Sequence, residues 1–134
     1  MKQLRYTDKV IEHFRNPRRF GALENPDGTG QVGDAECGDV VRIHIAVGKD
    51  FRITDISFQA RGCPCAIACA SALTEMAIGK HVDDAWEITD EQIADSLGGL
   101  PGEKIHCSAI AAGALHNAIM SYVFKDTGRK AANV

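Results

Sequence analysis

A chain of 134 residues with five cysteines, no long Ser/Pro/Gly linker and no internal repeat fits a single domain, 1–134, large enough to bury a core without disulfide staples. The net charge of −3 comes from acids and bases mixed along the chain, which leaves no broad basic face for nucleic-acid phosphates. No stretch reads as a membrane span of roughly 20 apolar residues or as a signal-peptide core, so no membrane partner is expected and the protein is placed in the cytoplasm; in that reducing compartment, cysteines serve as metal ligands or reactive thiols more often than as disulfides.

Thr7 to Phe14 opens with a capping Thr-Asp and carries Val10, Ile11 and Phe14 at helical spacing before Asn16-Pro17 stops it, which predicts a short amphipathic helix. Gln31 to Glu36 reads as a weak strand, with Cys37-Gly38-Asp39 in the turn that follows. Val40 to Val47 alternates, with Val41, Ile43, Ile45 and Val47 on one face and Arg42, His44 and Ala46 on the other. After a turn at Gly48-Lys49-Asp50, Ile56, Phe58 and Ala60 alternate again, so the two runs pair as an antiparallel hairpin.

Beyond Pro64, which suits a first helical position, Ala66, Cys69, Ala70, Leu73, Met76 and Ala77 predict an amphipathic helix ending near Gly79, with Cys63 at its entrance. Thr89-Asp90-Glu91 starts a short helix that ends at Gly98-Gly99. A loop over Leu100 to Lys104 leads to a long final helix running to about Phe124, with His106 and Cys107 in its first turn and a frayed tail from Asp126. Strands followed by helices predict an α+β domain: a small antiparallel three-stranded sheet covered on one face by helices, with a long C-terminal helix.

Cys37 thus falls at a loop tip and Cys63 and Cys107 at helix entrances, where exposed amides and the helix dipole lower a thiol's pKa. Gly38 and Gly62 leave room beside two of the sulfurs for a bulky inorganic core. Asp39 and His106 add oxygen and nitrogen donors, and three thiolates with one weaker, replaceable ligand suit delivery better than storage. By spacing alone, three scattered cysteines are equally readable as core residues, since free Cys packs as a small hydrophobe.

Ala35-Glu36-Cys37-Gly38-Asp39, Ala60-Arg61-Gly62-Cys63 and Lys104-Ile105-His106-Cys107-Ser108 resemble, in the same order, the three signature segments of the IscU/NifU-type iron–sulfur cluster assembly scaffolds. The opening Tyr6-Thr7-Asp8-Lys9-Val10, the Asn16-Pro17-Arg18 turn and the Gly21 region are similar to that family too. The resemblance implies a scaffold, not an enzyme, that builds a labile cluster, in all expectation [2Fe-2S], and passes it to apo-acceptor proteins. It implies Cys37, Cys63 and Cys107 as ligands, with Asp39 and His106 as candidates for the fourth position and Asp39 keeping the cluster labile. Sulfur would arrive as persulfide from a cysteine desulfurase, with Cys107 the acceptor and Lys104 assisting delivery or gating it. Iron and electrons would come from an iron donor and a ferredoxin, and zinc would fill the cluster-free site.

Two departures limit the carry-over. Many relatives have Leu-Pro-Pro-Val-Lys before the His-Cys pair, a loop read by Hsp70-class chaperones; here it is Leu100-Pro101-Gly102-Glu103-Lys104, so a chaperone partner is not carried over. Cys65 and Cys69 stand where the family has small uncharged residues; they read as core residues, and the sharper alternative is that Cys65 is a spare ligand or a redox partner of Cys63 or Cys69. A zinc-bound persulfide relay similar to SufU is the competing reading, opposed by the presence of His106 and the lack of an inserted segment between the second and third cysteine regions. His13, His44, His81 and His116 are expected in surface or satisfied roles, Trp86 as a core anchor for its short segment, and Arg15, Arg18 and Arg19 as a solvated face.

Overall fold

The structure is a computed structural model that describes residues 6–33 and 38–132, with side chains to residue 125 except that of Glu103. Helix α1 (Asp8–Arg15) begins where expected, with the Thr7 hydroxyl accepting the Val10 N–H at 3.1 Å and donating to the Leu97 carbonyl. Strands β1 (Gly28–Gly33), β2 (Val40–Val47) and β3 (Ile53–Arg61) form one antiparallel sheet in that order. The expected alternation holds: Val41, Ile43, Ile45, Ile56 and Phe58 are fully buried, each contributing about 1.5–3 kcal/mol of transfer free energy if taken singly.

Strand β1 begins earlier than the predicted Gln31, at Gly28, and the expected stretch from Asp34 to Cys37 lies outside the described residues. The glycines of a Gly-Thr-Gly run weaken its strand propensity, but they are used here for clearance. A Cβ on Gly28 would lie 2.2 Å from the Ala118 carbonyl oxygen, and one on Gly30 2.2 Å from the Ala118 nitrogen, so the final helix packs directly on bare backbone.

Helix α2 (Pro64–Ala77) is not amphipathic as predicted: it is buried almost all round, between the sheet, α1 and the later helices. Its polar residues are satisfied internally, the Thr74 hydroxyl donating to the Ser71 carbonyl at 2.7 Å, and the Ser71 hydroxyl accepting the Arg18 N–H at 2.8 Å while meeting His13 Nδ1 at 2.8 Å. A short helix α3 (Val82–Trp86) follows that the sequence reading omitted, because its cap is the His81 ring, accepting the Asp83 N–H, and not a Ser, Thr or Asp. Helix α4 (Asp90–Ser96) carries the expected Thr89 cap, completed by Gln92 into a capping box, and ends at Gly98 and Gly99, both at positive φ.

After a single 3-10 turn at Gly102–Lys104, helix α5 spans His106–Ala132, so its backbone continues through most of the stretch expected as a frayed tail, where Lys, Arg and Ala sustain helix formation. Contrary to expectation, α5 is by length and composition apolar enough to cross a bilayer. It packs on β1, β2 and α2, and its buried apolar residues between Cys107 and Ile119 join the core.

The remaining expectations resolve locally. His44 is buried between the Thr29 hydroxyl (3.0 Å) and Gln59 Oε1 (2.9 Å). Arg18 pairs with Glu12 through two contacts of 2.5 and 2.6 Å, and Arg19 with Asp55 at 3.5 Å, so these arginines are neutralised and do not form an open basic cluster. Trp86 is not a core anchor: it is half-exposed and stacks on His116 of α5, ring centroids 4.3 Å apart.

Candidate metal centre

Three chain segments converge at one end of the sheet. Asp39 precedes β2, Cys63 lies between β3 and α2, and His106-Cys107 opens α5. The pairing of Val40 with Arg61 sets Asp39 beside Gly62, which sits at φ 137°. A Cβ there would lie 2.1 Å from Asp39 Oδ1, so glycine at this position makes room for the carboxylate itself. At Gly62 the cleared space therefore goes to Asp39 and not directly to an inorganic core. Gly38 has nothing within 4 Å of its Cβ position and is needed for its φ of 80°.

Asp39 is only 9% exposed and accepts the Cys63 N–H on Oδ1 at 2.9 Å, while Oδ2 lies 3.8 Å from Cys63 Sγ and 3.5 Å from His106 Nε2. Burial pushes its carboxyl upward, but the Cys63 amide, the hydrogen bonds from His106 and Cys63 and the charge of Lys104 outweigh it, holding Asp39 below the usual carboxylate range. The Cys63 and Cys107 sulfurs are 3.6 Å apart, and Cys107 Sγ lies 3.9 Å from His106 Nε2. Two thiolates on one tetrahedral ion, each about 2.3 Å from the metal, are separated by about 3.7 Å. The thiol pair therefore fits a shared metal ion with little movement. The donor atoms of Asp39, His106 and Cys107 lie within 4.8 Å of one another, giving a soft–hard donor set around a half-open position.

Both helix entrances are as expected. Cys63 is the N-cap of α2, in extended conformation with its sulfur making no capping bond, and Pro64 is the first helical residue. Cys107 departs from the expectation of a lowered thiol pKa: burial, followed by the neighbouring Cys63, pushes it well above the ordinary range. Lys104 is raised as well, but for an ammonium the rise favours the charged form. Its ammonium is stabilised first by Cys63, with burial opposing and Asp39, Tyr6 and Cys107 adding to the rise. Cys65 and Cys69 are fully buried in α2, and burial pushes the Cys65 thiol up to about 11 and that of Cys69 higher still.

Tyr6, partly buried against the core, was not singled out from the sequence. Burial comes first among the causes that raise its phenol, followed by Cys65 and Cys63, which marks it as a neighbour of the sulfurs; its only sequence signal was its place in the opening Tyr-Thr-Asp motif. Cys37 lies outside the described residues.

A three-stranded sheet that gathers thiols, a carboxylate and an imidazole where two helices begin defines a small α+β domain with a donor set suited to a metal. Residues 5–129 match the family model for the NifU-like N terminal domain, and the chain belongs to that family. It is 52% identical over 124 residues to the iron–sulfur cluster assembly scaffold protein IscU 1 of Archaeoglobus fulgidus, covering 92% of this chain and 80% of that one. It is 45% identical over 128 residues to the IscU scaffold protein of Rickettsia prowazekii, covering 93% and 97%. A crystal structure of an NifU-like N-terminal protein from Brucella abortus shares the fold, with a TM-score of 0.68 at 19% identity over 88% of this chain and 94% of that one.

Proposed function

We propose that this protein is a single-domain scaffold of the cytoplasm on which a labile iron–sulfur cluster, [2Fe-2S], is assembled and then transferred to apo-acceptor proteins. The observation that carries this reading is the convergence of Cys63, Cys107, Asp39 and His106, with two sulfurs 3.6 Å apart beside a buried carboxylate. The naming of its relatives as cluster assembly scaffolds supports it.

In this reading Cys37, Cys63 and Cys107 are the thiolate ligands, and Asp39 or His106 takes the fourth place. Sulfur comes from a cysteine desulfurase as persulfide on Cys107. Each sulfane sulfur must be reduced to sulfide, and oxidation of ferrous iron supplies only part of the electrons, so a ferredoxin-type donor provides the rest and an iron donor the metal. Asp39 is held ionised and hydrogen-bonded to the Cys63 amide, so its carboxylate is available to the metal without a proton to lose, yet is a weaker ligand for iron than a thiolate. Exchange at that position is the route by which the cluster leaves. Lys104, whose ammonium faces Cys63 and Asp39, assists by holding negative charge near the incoming persulfide. Zinc, bound through the same donors, occupies the cluster-free form.

The test is anaerobic incubation with iron, cysteine and a cysteine desulfurase, followed by absorption and Mössbauer spectra and by transfer to an apo-ferredoxin. A transferable [2Fe-2S] cluster is expected, released more slowly from Asp39→Ala. Persulfide on Cys107 with retained zinc and no cluster would instead identify a sulfur relay.

A further inference from the structure

Charges that are mixed over most of the chain are not mixed in one stretch. Between Val82 and Leu97 stand Asp83, Asp84, Glu87, Asp90, Glu91 and Asp95, with no lysine or arginine, so the rest of the chain holds fifteen bases against twelve acids. All six carboxylates are exposed, and among the described residues their single ion pair is Asp83 with His81 at 3.7 Å.

This acidic stretch borders a groove of about 380 Å³ along the flank of α5. Trp86 and Ile88 make one wall, Ala112, Gly113 and His116 the other, and Glu87 and Asp90 also line it. Trp86 is 39% exposed and is held in place by its stack on His116 and by the His116 Nε2 contact to its carbonyl at 2.9 Å. Met120, one turn beyond His116 on α5, is exposed and continues the apolar strip. None of these residues belongs to the cysteine centre.

We propose that this groove docks a helix of a partner protein, apolar on the face it presents and flanked by lysines or arginines. An exposed, immobilised tryptophan beside an apolar floor is the composition of an interface anchor. Small side chains at Ala109, which is exposed, and Ala112 let a second helix approach α5 closely, as helix-in-groove recognition requires. Six exposed carboxylates with no lysine or arginine among them repel one another and any anionic ligand, and flanking cations relieve that repulsion, so charge selects the partner. The groove lies on the helix that begins with His106-Cys107, about one and a half turns beyond Cys107, so the partner would sit beside the cysteine centre without occupying it.

Trp86 is the chain's single tryptophan, so its fluorescence reports the groove directly. The probes are an amphipathic Leu/Lys helical peptide without tryptophan and a Leu/Glu peptide of the same length, added to the full chain. The expected result is a saturable blue shift with the Leu/Lys peptide alone, weakened by salt and weakened about tenfold in Glu87→Lys/Asp90→Lys, with the milder Glu87→Gln/Asp90→Asn pair between. No shift, an equal shift with the Leu/Glu peptide, or unchanged affinity in both double variants overturns the proposal.

Discussion

Cys63 and Cys65 are separated by one residue, and Cys65 and Cys69 by one helical turn, yet their sulfurs belong to different parts of the molecule. Cys63 stands outside the helix, in extended backbone, and its side chain meets Asp39 and Cys107. Cys65 and Cys69 are inside the helix and packed in the core, where burial favours the protonated thiol and makes them poor ligands and nucleophiles. Burial alone does not draw the line, since Cys107 is as buried as Cys69 and its thiol is also raised. What separates them is company: Cys107 has a second sulfur and an imidazole within 4 Å and a carboxylate close by, so an arriving metal can exchange a proton for several bonds at once.

The sharpest way to break this division is at the sulfurs. Cys63→Ser and Cys107→Ser are each expected to abolish the visible absorption of a reconstituted cluster, while Cys65→Ala keeps full cluster yield and full persulfide load on Cys107. Loss of either in Cys65→Ala would make Cys65 a member of the site.

Gly62 and Gly38 sharpen the comparison on the backbone side. Gly62→Ala drives a methyl into Asp39 Oδ1 at 2.1 Å and the Gly38 carbonyl at 2.7 Å, and is expected to cost about 2–4 kcal/mol in urea denaturation together with cluster yield. Gly38→Ala meets no atom within 4 Å and carries only its positive-φ strain, about 1 kcal/mol. Equal losses in the two would mean that contact with Asp39 is not what Gly62 provides.

A smaller effect is expected in the core pair. Cys69→Ala leaves a sulfur-sized void in α2 and should lower stability by about 1–2 kcal/mol with cluster yield unchanged. The smallest effect is electrostatic and lies away from both pairs. Burial first, then Arg18, lowers the pKa of His13, with Glu75 and Glu12 opposing. The Ser71 hydroxyl, which accepts from Arg18, donates to the neutral ring at Nδ1. A histidine with a lowered folded pKa binds fewer protons folded than unfolded, so its contribution is present above the ordinary histidine pKa and lost as pH falls through that region. Denaturation midpoints measured from pH 7.5 down to about 5 should show this loss, and His13→Gln should flatten it.

Much of the fold was legible because it rests on local chemistry. The Thr7 and Thr89 caps, Pro64 at a first helical position, the Gly98-Gly99 stop and the alternation of Val41, Ile43 and Ile45 depend on neighbours a few residues away. The start of β1 was not legible, because Gly28 and Gly30 are chosen for the approach of Ala118, about ninety residues along the chain. The same holds for α2: periodicity shows an apolar stripe, but only its neighbours on all sides reveal that Ser71 and Thr74 are buried as well.

At the site, the sequence by itself determined the donor types and their stations at helix entrances, since Pro64 and the turn before His106 set those ends locally. The tertiary structure decided which donors meet. Asp39 reaches Cys63 and His106 only because the β2–β3 register sets it against a residue without a side chain, and α5 crosses the same end of the sheet. It also set the direction in which the Cys107 thiol's pKa moves, upward, because desolvation is a property of the whole packed surround, whereas a helix entrance can be read from a single turn.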